Sequence, residues 1–236
     1  SCRVSVTDPE GHIFRAVDPS LIPVCSVADP ELLAQTARPL LTACITDGLC
    51  LAMEAYVSRY ADEKIRSFAA SAVKSFFVAA EPCWNSGGSL LERTKLLEAS
   101  RLAGLAANRT GGGYARALSE AWSDVTGVPP AEAFGLMLPS VLSQYGEHAA
   151  SALSSLAESA GIRDEGTRSE KAQAVIRRIQ SLTFRIGLPD THDLPDERAI
   201  QDIAALAAAA ANPRWACPVV WDSGDLARVF RKVFLK

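Results

Sequence analysis

Residues 38–58 read RPLLTACITDGLCLAMEAYVS, and their pattern decides the architecture. Apolar residues fall at Leu41, Ile45, Leu49, Ala52, Met53 and Tyr56, in the steps of three and four that line one face of an α-helix. The same pattern continues downstream. Ala61 to Ala80, Leu90 to Asn108, Tyr114 to Val125, Ala131 to Tyr145 and Glu147 to Ser159 each read as a helix, and so do Thr167 to Ile186, Glu197 to Ala211 and Asp222 to Phe234. Gly87-Gly88-Ser89 marks one restart, and Gly127 with Pro129-Pro130 marks another. Connections this short predict antiparallel neighbours in a bundle. No internal repeat or disordered linker interrupts the series.

Upstream the period changes. Arg3 to Thr7 and His12 to Val17 alternate on either side of Asp8-Pro9-Glu10-Gly11, which predicts a β-hairpin. Val24 to Ala28, between Pro23 and Asp29-Pro30, reads as a third short strand. Three short strands leave open edges, and the helical remainder holds no sheet for them to join. The expected fold is therefore mainly α: residues 31–236 form an antiparallel helical bundle, and residues 1–30 carry a hairpin and strand that pair with β-structure from a protein partner.

Composition narrows the function classes. The 236 residues carry a net charge of −3, with 48% hydrophobic and 22% charged residues. A pI near 5.7 argues against a nucleic-acid partner, which needs a basic footprint. Alanine is dense from Ala204 to Ala211 and aromatics are only 7%, a balance that favours helix over sheet. No uninterrupted apolar run reaches the roughly 18–20 residues of a membrane span, and no basic-then-apolar leader opens the chain. The chain opens with Ser1, as expected of a processed, cut or separately cloned piece. Six cysteines form no C-x-x-C pair. Cys44, Cys50 and Cys83 read as reduced, small core residues, which points to the cytoplasm or an organelle matrix. His12, His148 and His192 lie in separate polar stretches and read as solvent-exposed histidines. Ser86 to Ser89 and Thr110 to Gly113 are glycine-rich, but neither follows a strand into a helix as a phosphate loop does, so both read as helix boundaries. Arg177-Arg178 reads as a solvated helix face.

Several ordered segments resemble the iron-type (group III) alcohol dehydrogenase family. Asp18-Pro19-Ser20-Leu21-Ile22-Pro23 and Asp29-Pro30-Glu31-Leu32 are similar to its D-P-x-L-x-P and D-P-E-L elements. Thr46-Asp47-Gly48-Leu49 followed by Met53-Glu54-Ala55-Tyr56-Val57-Ser58 resembles its D-A-L-x-H-A-x-E-A-Y-x-S signature. Glu98-Ala99-Ser100 through Gly104, Leu138-Pro139, Gly187-Leu188-Pro189 and Asn212-Pro213-Arg214 resemble later elements in the same order. The resemblance implies the family's all-helical C-terminal domain. It also implies that the chain begins where the NAD(P)-binding α/β domain is ending, so residues 1–30 would be a remnant laid against that domain's sheet. NAD(P) would then serve only if a partner chain supplies the nucleotide domain.

The family holds a divalent metal with one Asp and three His. By resemblance Asp47 matches the carboxylate, whereas Leu51, Arg116 and Pro130 stand at the three histidine positions, and Glu120 at a further family histidine. One carboxylate does not hold iron or zinc against water, so no metal is expected at Asp47. A carboxylate left without its ion needs a new partner, and Arg116 is the candidate to pair with it, with Leu51 and Pro130 filling the remaining space. Two functions follow from the resemblance. One is a non-catalytic structural or interaction subunit of a larger assembly. The other is half of a split or cut dehydrogenase or aldehyde reductase working without metal, for which Tyr114 and Glu120 are the weak candidates as general acid.

Overall fold

The computed structural model describes residues 3–9, 13–162 and 165–234. Strands β1 (Arg3–Thr7) and β2 (Ile13–Val17) pair antiparallel, with Arg3 opposite Val17 and Thr7 opposite Ile13. His12 and most of the intervening turn lie outside the described residues. Val4 and Val6, which share one face of β1, are both exposed. The third expected strand does not form: after a single 3-10 turn at Pro19–Leu21, residues 22–29 run without strand pairing. Val24 and Val27 there stand open to solvent, so nothing selects an extended, paired conformation. Asp29 then caps α1 (Pro30–Leu33), accepting from the Glu31 amide at 2.9 Å.

The bundle begins with α2 (Arg38–Val57). Thirteen of its twenty residues are buried, including Ile45, Leu49, Ala52 and Met53, which makes it the centre of the core. Its best window has a mean hydropathy of 1.4 and the length of a membrane span, but 72% of that window is packed inside the protein. Around it lie α3 (Glu63–Ser86) and α4 (Leu90–Thr110), with α5 (Tyr114–Thr126), α6 (Pro130–Tyr145) and α7 (Glu147–Ser159) beyond. The bundle closes with α8 (Arg168–Arg185), α9 (Glu197–Ala211) and α10 (Ser223–Lys232). Gly48 allows close approach of α3, because a Cβ there would lie 2.6 Å from the Phe76 ring.

Side chains outside the main core correct three expectations. Cys44 lies on the exposed side of α2, one position out of the Leu41–Ile45–Leu49 row, while Cys50 and Cys83 are buried. His192 is three-quarters covered: its Nε2 lies 3.1 Å from Glu132 and its ring meets Trp122 edge-on. Arg178 is not simply solvated, since it donates to the Phe77 carbonyl at 3.2 Å and lies over that ring, tying α8 to α3.

Candidate functional site

Asp47 and Leu51 are one turn apart on α2, and they differ in surroundings. Asp47 is open to solvent on one side, while protein crowds its carboxyl on the other. That crowding raises its pKa; the nearby Arg116 guanidinium pulls it back down, and Glu120 adds to the rise. Leu51 is half-buried against the core. Asp47, Arg116 and Glu120 are thus one electrostatic cluster at the junction of α2 and α5.

The expected ion pair of Arg116 with Asp47 does not form. Arg116 Nε instead bonds Glu120 Oε1 at 2.8 Å, one turn along α5, with the two side chains only 30% and 25% exposed. No Arg116–Asp47 hydrogen bond or ion pair occurs among the described residues. An intrahelical i,i+4 partner is reached without crossing to α2, so it takes the guanidinium and leaves Asp47 a through-space attraction. Pro130 is the exposed first residue of α6 and does not plug the site. Tyr114 is 1% exposed. Its hydroxyl lies 2.7 Å from Asn212 Oδ1 and accepts from the Trp221 amide at 2.9 Å. Burial raises its pKa, and this placement removes it as a proton donor to substrate.

Sequence reasoning missed Glu54. It is 5% exposed, two turns beyond Asp47, and its carboxylate caps the start of α5 from the side. Glu54 Oε2 accepts from the Gly113 amide at 2.9 Å and Oε1 from the Arg116 amide at 3.1 Å. Gly113 carries no side chain to cap α5, so the carboxylate from α2 satisfies donors the helix leaves open. A Cβ on Gly113 would sit 2.5 Å from Glu54 Oε1, which explains glycine there. Burial outweighs these bonds and pushes Glu54 up to about 7. The available signal was a carboxylate between Met53 and Ala55, on a face otherwise apolar.

The sequence profile of the Fe-containing alcohol dehydrogenase family, C-terminal, matches residues 42–231. The chain belongs to this family. It is 26% identical over 215 residues to the 1,3-propanediol dehydrogenase of Citrobacter freundii, a match covering 90% of the chain and 56% of that relative. The Klebsiella pneumoniae 1,3-propanediol dehydrogenase matches to the same extent. Among solved structures, 1,3-propanediol oxidoreductase superposes with a TM-score of 0.91 at 26% identity, over 99% of this chain and 62% of that one. The Oenococcus oeni alcohol dehydrogenase, at 23% identity and TM-score 0.90, shares the fold over 99% of this chain and 62% of its own. The chain therefore spans a little over half the length of the curated relatives it matches.

At the positions that the resemblance matches to the family's metal ligands, the residues present fit a divalent ion poorly. Leucine and proline side chains offer no donor atom, and a guanidinium is cationic with no lone pair to give. Asp47 alone remains, beside the positive charge of Arg116. Among the described residues, no group of three or more His, Cys, Asp or Glu is placed to hold a metal ion.

Proposed function

We propose that this iron-type alcohol dehydrogenase domain is a metal-free, non-catalytic or partner-dependent helical subunit, kept for a structural or interaction role in a larger assembly. The observation that carries this is Arg116, held by Glu120 beside Asp47, at a position where the family's resemblance calls for a metal-binding histidine. A fixed cation there opposes a divalent ion electrostatically, whatever the remaining ligands. Residues 1–30 are the surface for the partner, as a remnant of the family's nucleotide domain. Exposed Val4, Val6, Ile22, Val24 and Val27 support that reading, as does a two-stranded sheet too small to stand alone in water. Any NAD(P) comes with the partner. Hydrogen exchange on the chain alone and in its native assembly tests this: the amides of Arg3–Thr7 and Ile13–Val17 become protected only in the assembly. Strong protection there in the isolated chain overturns it.

Asp47 favours a second reading. Its carboxyl faces solvent on one side and holds its proton more tightly than an ordinary aspartate. As half of a split aldehyde reductase, the chain would donate that proton to a carbonyl oxygen while NAD(P)H on a partner gives hydride to the carbon. An NAD(P)H-dependent reduction by the reconstituted assembly that survives chelation and is abolished by Asp47→Asn selects this reading over the first.

A further inference from the structure

A cleft of about 220 Å³ lies about three helical turns along α2 from Asp47. Its polar lining is Ser58, Arg59, Arg66, His148, Ser151 and Ser155, contributed by the α2–α3 turn, the start of α3 and one face of α7. None of its lining residues is a carboxylate. Arg93, Arg101, Arg116 and Arg185, by contrast, each pair with a glutamate. Neither Arg59 nor Arg66 is bound by a carboxylate among the described residues.

The cleft is also held in shape. The Arg59 amide donates to the Ala216 carbonyl at 2.8 Å. Buried Ser58 donates to the same carbonyl at 3.3 Å and accepts from the Tyr60 amide at 3.2 Å. His148, Ser151 and Ser155 follow in steps of three and four, so they share one face of α7. Gly146 brings no side chain to cap that helix, which starts at Glu147, one residue before His148. Val57, Ala152 and Pro218 complete the wall.

We propose that this cleft binds a tetrahedral oxyanion, the phosphate of a small phosphate monoester. Two guanidiniums give charge-assisted, paired hydrogen bonds to phosphate oxygens, and the hydroxyls of Ser151 and Ser155 and the His148 ring supply further donors. The cleft has room for a phosphate with a short carbon chain. The site is independent of the metal question at Asp47.

The test is an NMR titration of the full chain at fixed ionic strength with inorganic phosphate, then glycerol 3-phosphate, with glycerol as the uncharged control. Both phosphates produce saturable shifts centred on the amides of residues 58–60, 66 and 147–152, and glycerol produces none. R59Q/R66Q weakens binding about tenfold or more while keeping a native spectrum, since both side chains are exposed. R66Q alone, a milder change, weakens it measurably. Shifts that do not saturate, that centre elsewhere, or that are unchanged in these variants overturn the site. So does binding to anionic vesicles through these arginines with no response to free phosphate.

Discussion

Glu54 and Asp47 are two carboxylates on one helix with opposite relations to α5. Glu54 bonds its backbone amides directly, whereas Asp47 feels only its side-chain charges. The raised pKa of Glu54 has a thermodynamic consequence. Between its ordinary value of 4.5 and about 7, the unfolded chain has released this proton and the folded chain has not. Stability from Glu54 is complete below 4.5 and is lost as pH rises toward 7, by about 3 kcal/mol at most. Asp47 contributes in the same direction. Denaturant unfolding across this window is expected to show the loss in the native chain and a much flatter profile in Glu54→Gln; parallel profiles would contradict the assignment. Gly113→Ala is expected to cost about 1–3 kcal/mol, because its methyl meets the Glu54 carboxylate. A stability within about 0.5 kcal/mol of native would show that the cap has room to move.

At the level of elements, the helices were legible because apolar periodicity and glycine or proline punctuation agree. Glu147–Ser159 and Glu197–Ala211 fall where the pattern placed them, and the others move by a few residues. Two differences have local causes. The four residues Pro30–Leu33 are too few to show a helical period, yet a proline at the first position and the Asp29 cap suffice to form the turn. Glu63–Ser86 continues six residues past Ala80, through Pro82, and ends at Gly87 in the left-handed conformation. The packing between elements was not legible. Thr42 donates to the Ile186 carbonyl and accepts from Trp84 Nε1 at 3.0 Å, joining α2, α3 and the end of α8. Such a contact spans 144 residues and leaves no local pattern. Thr42→Val leaves a buried carbonyl and an indole N–H unmet, so a loss of about 1–3 kcal/mol is expected in thermal or denaturant unfolding. For the site, sequence position identified Asp47, Leu51, Arg116 and Pro130 only through resemblance; it could not say that Arg116 prefers Glu120, since both partners were within reach on paper.

The whole molecule joins a closed bundle to an open edge. Its core is continuous from α2 to α10, with Trp122, Phe230 and Phe234 packed edge-on near the C-terminal helix. Its first thirty-odd residues, by contrast, expose Val24, Val27 and Leu32. That exposure is what the proposed partner surface rests on. The bundle keeps the family's fold, and on the proposed reading the positions that the resemblance matches to metal ligands hold an arginine, paired with a glutamate, next to an aspartate. Metal binding by the purified chain tests that claim most directly: incubation with excess Fe(II) or Zn(II), removal of unbound metal, and elemental analysis alongside Asp47→Ala. The expected result is far less than one ion per chain, unchanged by the substitution. One tightly held ion per chain, lost in Asp47→Ala, would contradict it.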